Sequence, residues 1–109
     1  MPRFVTIGYG DRAGYDRTAP EARATAHAHD DHLKRRGAIM GVAGAPVLVR
    51  NRDAAGEKTE SGAFMSAPLP LAGFALIEAA DIAEAVRLVA QTPCAVADGV
   101  VEVWPLLEA

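Results

Sequence analysis

The chain has 109 residues and a mass of 11.4 kDa, which corresponds to one domain, residues 1–109. Half of its residues are hydrophobic and 23% are charged, a balance that excludes intrinsic disorder. Eleven basic residues against 14 acidic ones give a net charge of −3. Because phosphate binding requires a basic face, this charge excludes nucleic acid and anionic membrane surfaces as main partners.

Cysteine usage and hydropathy indicate a soluble cytoplasmic protein. Cys94 is the single cysteine and cannot form an internal disulfide, so the chain does not depend on an oxidising compartment. The N-terminal apolar stretch is too short for a signal peptide, and no apolar run approaches the roughly 20 residues that cross a bilayer.

The first third of the chain predicts a strand, a loop and a long helix. Residues 4–9 are β-branched and aromatic and predict a strand, and residues 10–17 are rich in Gly and Asp and predict a loop. A helix is expected over 18–36, because Thr18 and Glu21 have capping-box spacing and a proline lies in the first turn. Three basic residues and a glycine end it.

The middle of the chain predicts several strands. The segments expected to be extended are 38–43, 46–50, 58–65 and 73–78. The first two are compatible with one strand bent at 44–46, and 51–57 reads as a polar turn.

The last part predicts a second helix and a final strand. Asp81 repeats the capping signal, and apolar residues at i, i+3, i+4 and i+7 from Ile82 give a helix over 81–91. The strand 100–104 follows, and Pro105 is expected to stop it.

This order of elements predicts an α+β, ferredoxin-like split βαβ fold, with an antiparallel sheet and two helices on one face. In the last strand, Val101 and Val103 alternate with Glu102 and Trp104, so one side of the sheet carries a large aromatic side chain. A tryptophan on the face away from the helices would be left in water. We therefore expect a homodimer formed through the sheet face.

Residues 8–13, Gly-Tyr-Gly-Asp-Arg-Ala, match the dinucleotide-binding pattern after a strand. That motif works because its third small residue lies inside a helix whose N-terminus holds the pyrophosphate. Here the helix signals begin later, at Thr18, so the amide groups would point elsewhere. We expect a glycine-rich loop, and no cofactor.

Three histidines lie in one window of the first helix. Ala22, Ala26, His29 and Leu33 share the stripe expected to face the sheet. His29 is therefore the candidate general acid or base, with His27 as the alternative. The competing interpretation is a core histidine hydrogen-bonded to a strand carbonyl.

The remaining candidate site residues are histidines that could bind a metal, the single cysteine, and residues that could bind a ligand. His29 and His32 have i, i+3 spacing, but no second cluster of ligands accompanies them, so no metal site is expected. Cys94 has no cationic neighbour in sequence and reads as a small buried hydrophobe. Arg12, in the first loop, could bind an anionic ligand. Arg12, His32 and Trp104 are the candidate ligand-binding residues.

Several motifs together resemble the YCII-related family, in particular its DGPF branch. Ser61-Gly62-Ala63-Phe64 lies where that branch has Asp-Gly-Pro-Phe, and 72–77, Ala-Gly-Phe-Ala-Leu-Ile, is similar to the strand that follows. The segment 81–90 resembles the second helix. Residues 99–106, Gly-Val-Val-Glu-Val-Trp-Pro-Leu, resemble the closing Gly-x-x-Glu-Val-Arg-Pro.

The resemblance implies a dimeric α/β barrel with a cleft between helix and sheet, and an active-site pair of a helix histidine and an aspartate before a proline. In this chain the family histidine would fall near Ala26 or His27, and Thr92 occupies the place of the aspartate. Ser61, Ala63 and Trp104 also depart from the family pattern.

Two functional hypotheses follow. The first is a cofactor-independent enzyme that performs acid/base chemistry on a small molecule through His29. The second is a non-catalytic module that binds a small ligand or another protein. The clustered histidines favour the first hypothesis, and Thr92 in place of the aspartate favours the second.

Overall fold

The computed structural model describes residues 1–108. Within them the chain forms six strands, four α-helices and one 3-10 turn. In chain order they are β1 (Arg3–Tyr9), α1 (Arg12–Arg17), α2 (Pro20–Arg35), β2 (Ile39–Val42), β3 (Val47–Arg50), the 3-10 turn (Arg52–Ala54), β4 (Lys58–Ser61), β5 (Leu71–Glu78), α3 (Ile82–Val89), α4 (Pro93–Val96) and β6 (Val100–Leu106).

The main sheet of the described chain contains four antiparallel strands in the order β2-β5-β1-β6. The central strand β1 pairs with both β5 and β6, so that Val5 lies opposite Leu76 on one side and Trp104 on the other. With the helices α2 and α3 as crossovers, this is the predicted α+β, ferredoxin-like arrangement. The register also fixes which side chains share a face, because successive residues of a strand point to opposite sides.

Both long helices lie on the same side of the sheet, as predicted. Phe4 and Ile77 are buried there in one core with Ala85 and Val89 of α3. Leu33 of α2 is also buried and lines a pocket together with Ile77. The apolar positions of the two helices therefore converge on the face to which Phe4 and Ile77 point.

The loop predicted over 10–17 is instead largely helical. Asp11 begins α1 by accepting a hydrogen bond from the Gly14 amide at 2.8 Å. The Thr18 hydroxyl, expected to cap α2, donates to the Gly14 carbonyl at 2.9 Å. It therefore stabilises the end of α1, and α2 begins at Pro20 after Ala19, without a side-chain cap.

The last part of the chain contains the predicted helix and strand, with two departures. The Asp81 carboxylate accepts from the Glu84 amide at 2.8 Å and begins α3, as its spacing indicated. A short helix, α4, follows α3 and was not predicted. The expectation that Pro105 stops the last strand is wrong, because β6 continues to Leu106. β6 is an edge strand, where a missing amide donor is tolerated.

The segment between β2 and β5 forms a separate hairpin. β3 and β4 pair only with each other in the described chain, so the possible single strand bent at 44–46 is in fact two strands in different sheets. The predicted strand over 58–65 ends at Ser61. We call residues 43–70 the arm.

Candidate functional site

His29 is oriented by the end of the neighbouring helix. Its Nε2 lies 2.7 Å from the carbonyl oxygen of Leu88 in α3. A carbonyl can only accept, so Nε2 carries the proton and Nδ1 is the basic atom of the neutral ring. Carbonyls in the last turn of a helix have no partner within it. His29 therefore supplies one and holds α2 against α3.

The other two histidines lie on the outside of α2. The ring of His27 is 2.9 Å from the Tyr15 hydroxyl, and the Arg23 guanidinium lies 4.7 Å from the centre of the Tyr15 ring. These contacts join α1 to α2. His32 is exposed, with its ring centre 6.3 Å from that of His29.

Two titratable groups lie half-buried on the helix side of the sheet. Burial raises the pKa of the Asp30 carboxyl, and nearby Lys34 opposes that shift. Burial, with a smaller contribution from the charge of Asp30, raises the pKa of the Cys94 thiol. A methyl group on Gly8 would come within 2.8 Å of the Cys94 sulfur, so the thiol packs against bare backbone. This favours the predicted inert, space-filling role for Cys94.

A pocket of about 180 Å³ opens between the helices and the sheet. Apolar residues of α2, α3 and β5 line it together with two residues of opposite charge, Arg36 just beyond the end of α2 and Glu78 at the end of β5. The lining residues are Met1, Leu33, Arg36, Ala38, Ile77, Glu78 and Leu88. His29 does not line the pocket itself, but the carbonyl that it contacts belongs to Leu88, which does.

The face of the sheet away from the helices is mainly apolar, and we call it the open face. Strand alternation and register place the following residues on it: Arg3, Val5, Ile7, Tyr9, Ile39, Phe74, Leu76, Glu78, Val100, Glu102, Trp104 and Leu106. Trp104 remains 55% exposed, and Ile39 and Phe74 on the same face are exposed to 70% and 47%. Trp104 is therefore exposed on the face opposite the helices, as predicted.

Two polar pairs interrupt the open face, and the first is Arg3 with Glu78 at 3.7 Å, at the end of β1 and β5. The second joins Tyr9 to Glu102. The Tyr9 hydroxyl donates to the Glu102 carboxylate at 2.7 Å, and this hydrogen bond raises the pKa of Tyr9. Toward β2 the face is purely apolar, and a groove there is lined by Val5, Ile39, Met40, Gly41, Val42, Phe74, Ala75 and Leu76.

The candidate site residues fall into separate places. His29 and His32 are neighbours on α2, whereas Trp104 lies on the opposite face of the sheet. Arg12 lies on α1 and pairs with Asp16 at 3.3 Å. Sequence reasoning missed Arg36 as a pocket residue and the Tyr9–Glu102 pair, because both depend on how distant elements come together.

Neither a metal-binding cluster within residues 1–108 nor a known relative adds to this description of the site. Among residues 1–108, no three His, Cys, Asp or Glu side chains are placed to hold a metal ion together. Within the same part of the chain, no helix is both long and apolar enough to cross a bilayer. No family model matches the chain, and no curated protein is significantly similar to it.

Proposed function

We propose that this protein is a homodimeric, non-catalytic module of the YCII-related type that binds a small ligand in its helix–sheet pocket. The observation that carries the proposal is the pocket itself, which is lined by apolar side chains together with Arg36 and Glu78. An apolar cavity of about 150 Å³ is large enough to bind benzene. The volume of about 180 Å³ therefore fits a single-ring molecule. Because the Glu78 carboxylate in the pocket lining already pairs with Arg3 at 3.7 Å, Arg36 favours a ligand with an acidic substituent.

The position of His29 supports binding over catalysis. Its Nε2 is occupied by the Leu88 carbonyl, and Thr92 stands where a carboxylate would orient the ring in the resembled family. The histidine thus helps to shape the wall of the pocket by fixing Leu88.

The homodimer is supported by the open face. Ile39, Phe74 and Trp104 lie on it and are exposed to about half or more of their surface. Soluble monomers rarely leave contiguous apolar patches of this kind in water. Packing the open faces of two copies against each other would remove these side chains from water and produce a dimeric α/β barrel.

Thermal unfolding with benzoate and benzyl alcohol tests ligand binding. At tenfold above its dissociation constant, a ligand stabilises the fold by about 1.4 kcal/mol, or roughly 5–10 °C for a chain of this length. We expect benzoate to stabilise the protein more than benzyl alcohol, and Arg36→Gln to abolish that difference. Arg35→Gln is the matched control. If neither compound raises the midpoint at 10–50 mM (a range set at about the weak affinity of one-ring ligands), the proposal is wrong.

A second candidate function is acid/base catalysis by His29. The observation that favours it is the fixed proton on Nε2, because it leaves Nδ1 as a base in a defined ring orientation. Exchange of the α-proton of small lactones and keto acids into D2O, followed by NMR, tests it. Catalysed exchange that is lost in His29→Gln would favour the enzyme, and exchange at the uncatalysed rate would exclude it for these substrates.

A further inference from the structure

The arm carries apolar surface that its own chain leaves open. Val47 and Val49 are 61% and 65% exposed and lie on one side of the hairpin. Leu48 and Arg50 lie on the other side, where Arg50 pairs with Glu60 at 3.2 Å. One side of the hairpin therefore carries an ion pair, and the other exposes the two valines opposite Ser61 and Thr59.

The arm extends away from the rest of the domain. The molecule measures 52 × 35 × 21 Å, and its radius of gyration is 15.8 Å, against about 13 Å for a compact chain of 100 residues. Backbone hydrogen bonds join the arm to the sheet at its base, from the Ala43 amide to Ala72 and from the Gly10 amide to Pro70. An isolated two-stranded hairpin is at best marginally stable in water. We therefore expect the arm to pack on a further surface.

The same chain offers a surface of matching character. The groove on the open face is floored by Val5, Ile39, Phe74 and Leu76, and it contains no charged residue among those that line it in the described chain. The arm carries three basic and three acidic residues, so its formal charge is zero. An arm would therefore meet no repulsion there, although the whole chain has a net charge of −3.

We propose that the arm of one copy packs the side bearing Val47 and Val49 into the groove of a second copy, and that the second copy does the same in return. This rests on the proposed homodimer and divides its contact: the partner's arm covers Ile39 and Phe74 in the groove, and the parts of the two open faces around Trp104 pack against each other. A twofold dimer satisfies both contacts at once, because each copy contributes one arm and one groove.

The exposed apolar area is sufficient for such a dimer. A half-exposed aromatic side chain presents about 100 Å². Ten large apolar residues of the open face, its edge and the arm are 45% or more exposed: Ile39, Val42, Val47, Val49, Phe64, Met65, Phe74, Val100, Trp104 and Leu106. Together they present roughly 1,000 Å², and stable interfaces take about 800 Å² from each partner.

Disulfide trapping between two different variants tests the contact. A Val49→Cys protein is mixed with a 15N-labelled Ile39→Cys protein and oxidised with diamide, and the products are resolved by mass spectrometry. We expect a covalent heterodimer of twice 11.4 kDa joined through the introduced cysteines. The wild type, whose Cys94 is half-buried, and each variant alone serve as controls. Absence of the heterodimer, or a disulfide formed only within one chain of a Val49→Cys/Ile39→Cys double variant, would overturn the proposal.

Sedimentation equilibrium separates this proposal from that of the homodimer. Val49→Glu is expected to weaken dimerisation at least about tenfold. Ala55→Glu adds the same charge at the tip of the arm, outside its apolar side, and is expected to change dimerisation less than about twofold. Equal effects of the two variants refute the arm contact. A dimer that resists Val49→Glu but dissociates with Trp104→Glu keeps the homodimer and rejects the arm, and a monomeric wild type rejects both.

Discussion

Replacing His29 by alanine tests whether this histidine holds two helices together. The substitution removes the 2.7 Å hydrogen bond to the Leu88 carbonyl. In a continuing helix the backbone amide of Thr92 would donate a hydrogen bond to the Leu88 carbonyl. Here it donates to the Val89 carbonyl instead, at 3.1 Å. Leu88 is half-buried, so its carbonyl would be left with poor access to water.

The expected cost combines a lost hydrogen bond with an unsatisfied acceptor. We expect His29→Ala to lower the free energy of unfolding by about 1–2 kcal/mol, or about 4–16 °C in midpoint. Urea unfolding followed by circular dichroism at 222 nm measures it.

Two other variants define the outcome. His32→Ala, at an exposed site on the same helix, is the matched control and is expected to cost less than about 0.5 kcal/mol. His29→Gln keeps an amide donor and is expected to recover part of the loss. Equal unfolding midpoints for wild type and His29→Ala would refute the proposed clamp.

Further predictions concern the caps, the glycines and the titratable groups. Asp81→Ala removes the cap of α3 and is expected to cost about 1 kcal/mol in urea unfolding. Gly99→Ala would press a methyl group against the backbone carbonyls of Tyr9 and Cys94, and is expected to cost about 3 kcal/mol, whereas Gly44→Ala, in open space, is expected to have little effect. Burial raises the pKa of Asp30, so the folded chain favours the protonated carboxyl and loses stability as the pH rises and the carboxyl ionises. Asp30→Asn, which cannot ionise, is therefore expected to be thermally more stable than the wild type at pH 7 but not at about pH 3. The raised pKa of Cys94 predicts slower alkylation by iodoacetamide than in the urea-unfolded chain at the same pH.

Local signals in the sequence were sufficient for most elements and for the fold class. The spacing of Asp81 and Glu84 correctly located the start of α3, and the glycine after the basic run ended α2 with a positive φ at Gly37. Thr18 shows the limit of such signals, because a hydroxyl between two helices can cap the start of the second helix or bond to a carbonyl at the end of the first. Here it bonds back to Gly14 and completes α1.

Tertiary context decided the remaining features. A proline ends a strand only where its missing amide would have to donate a hydrogen bond to a neighbouring strand. Pro105 lies on an edge strand, and the neighbouring residues in the sequence do not indicate that position. Tyr9 and Glu102 are 93 positions apart, and alternation places them on one face only once the register of β1 and β6 is known. The partner of His29 is a main-chain carbonyl, which carries no signature in a side-chain pattern.

Sedimentation velocity of the wild type at 10–100 µM, a range set at about the affinity of weak dimers, tests most directly whether the open face is covered by a second copy. We predict a species of twice 11.4 kDa that Trp104→Glu converts to a folded monomer. A wild-type chain that sediments at 11.4 kDa across this range, with Trp104 fluorescence unchanged by dilution, would contradict it.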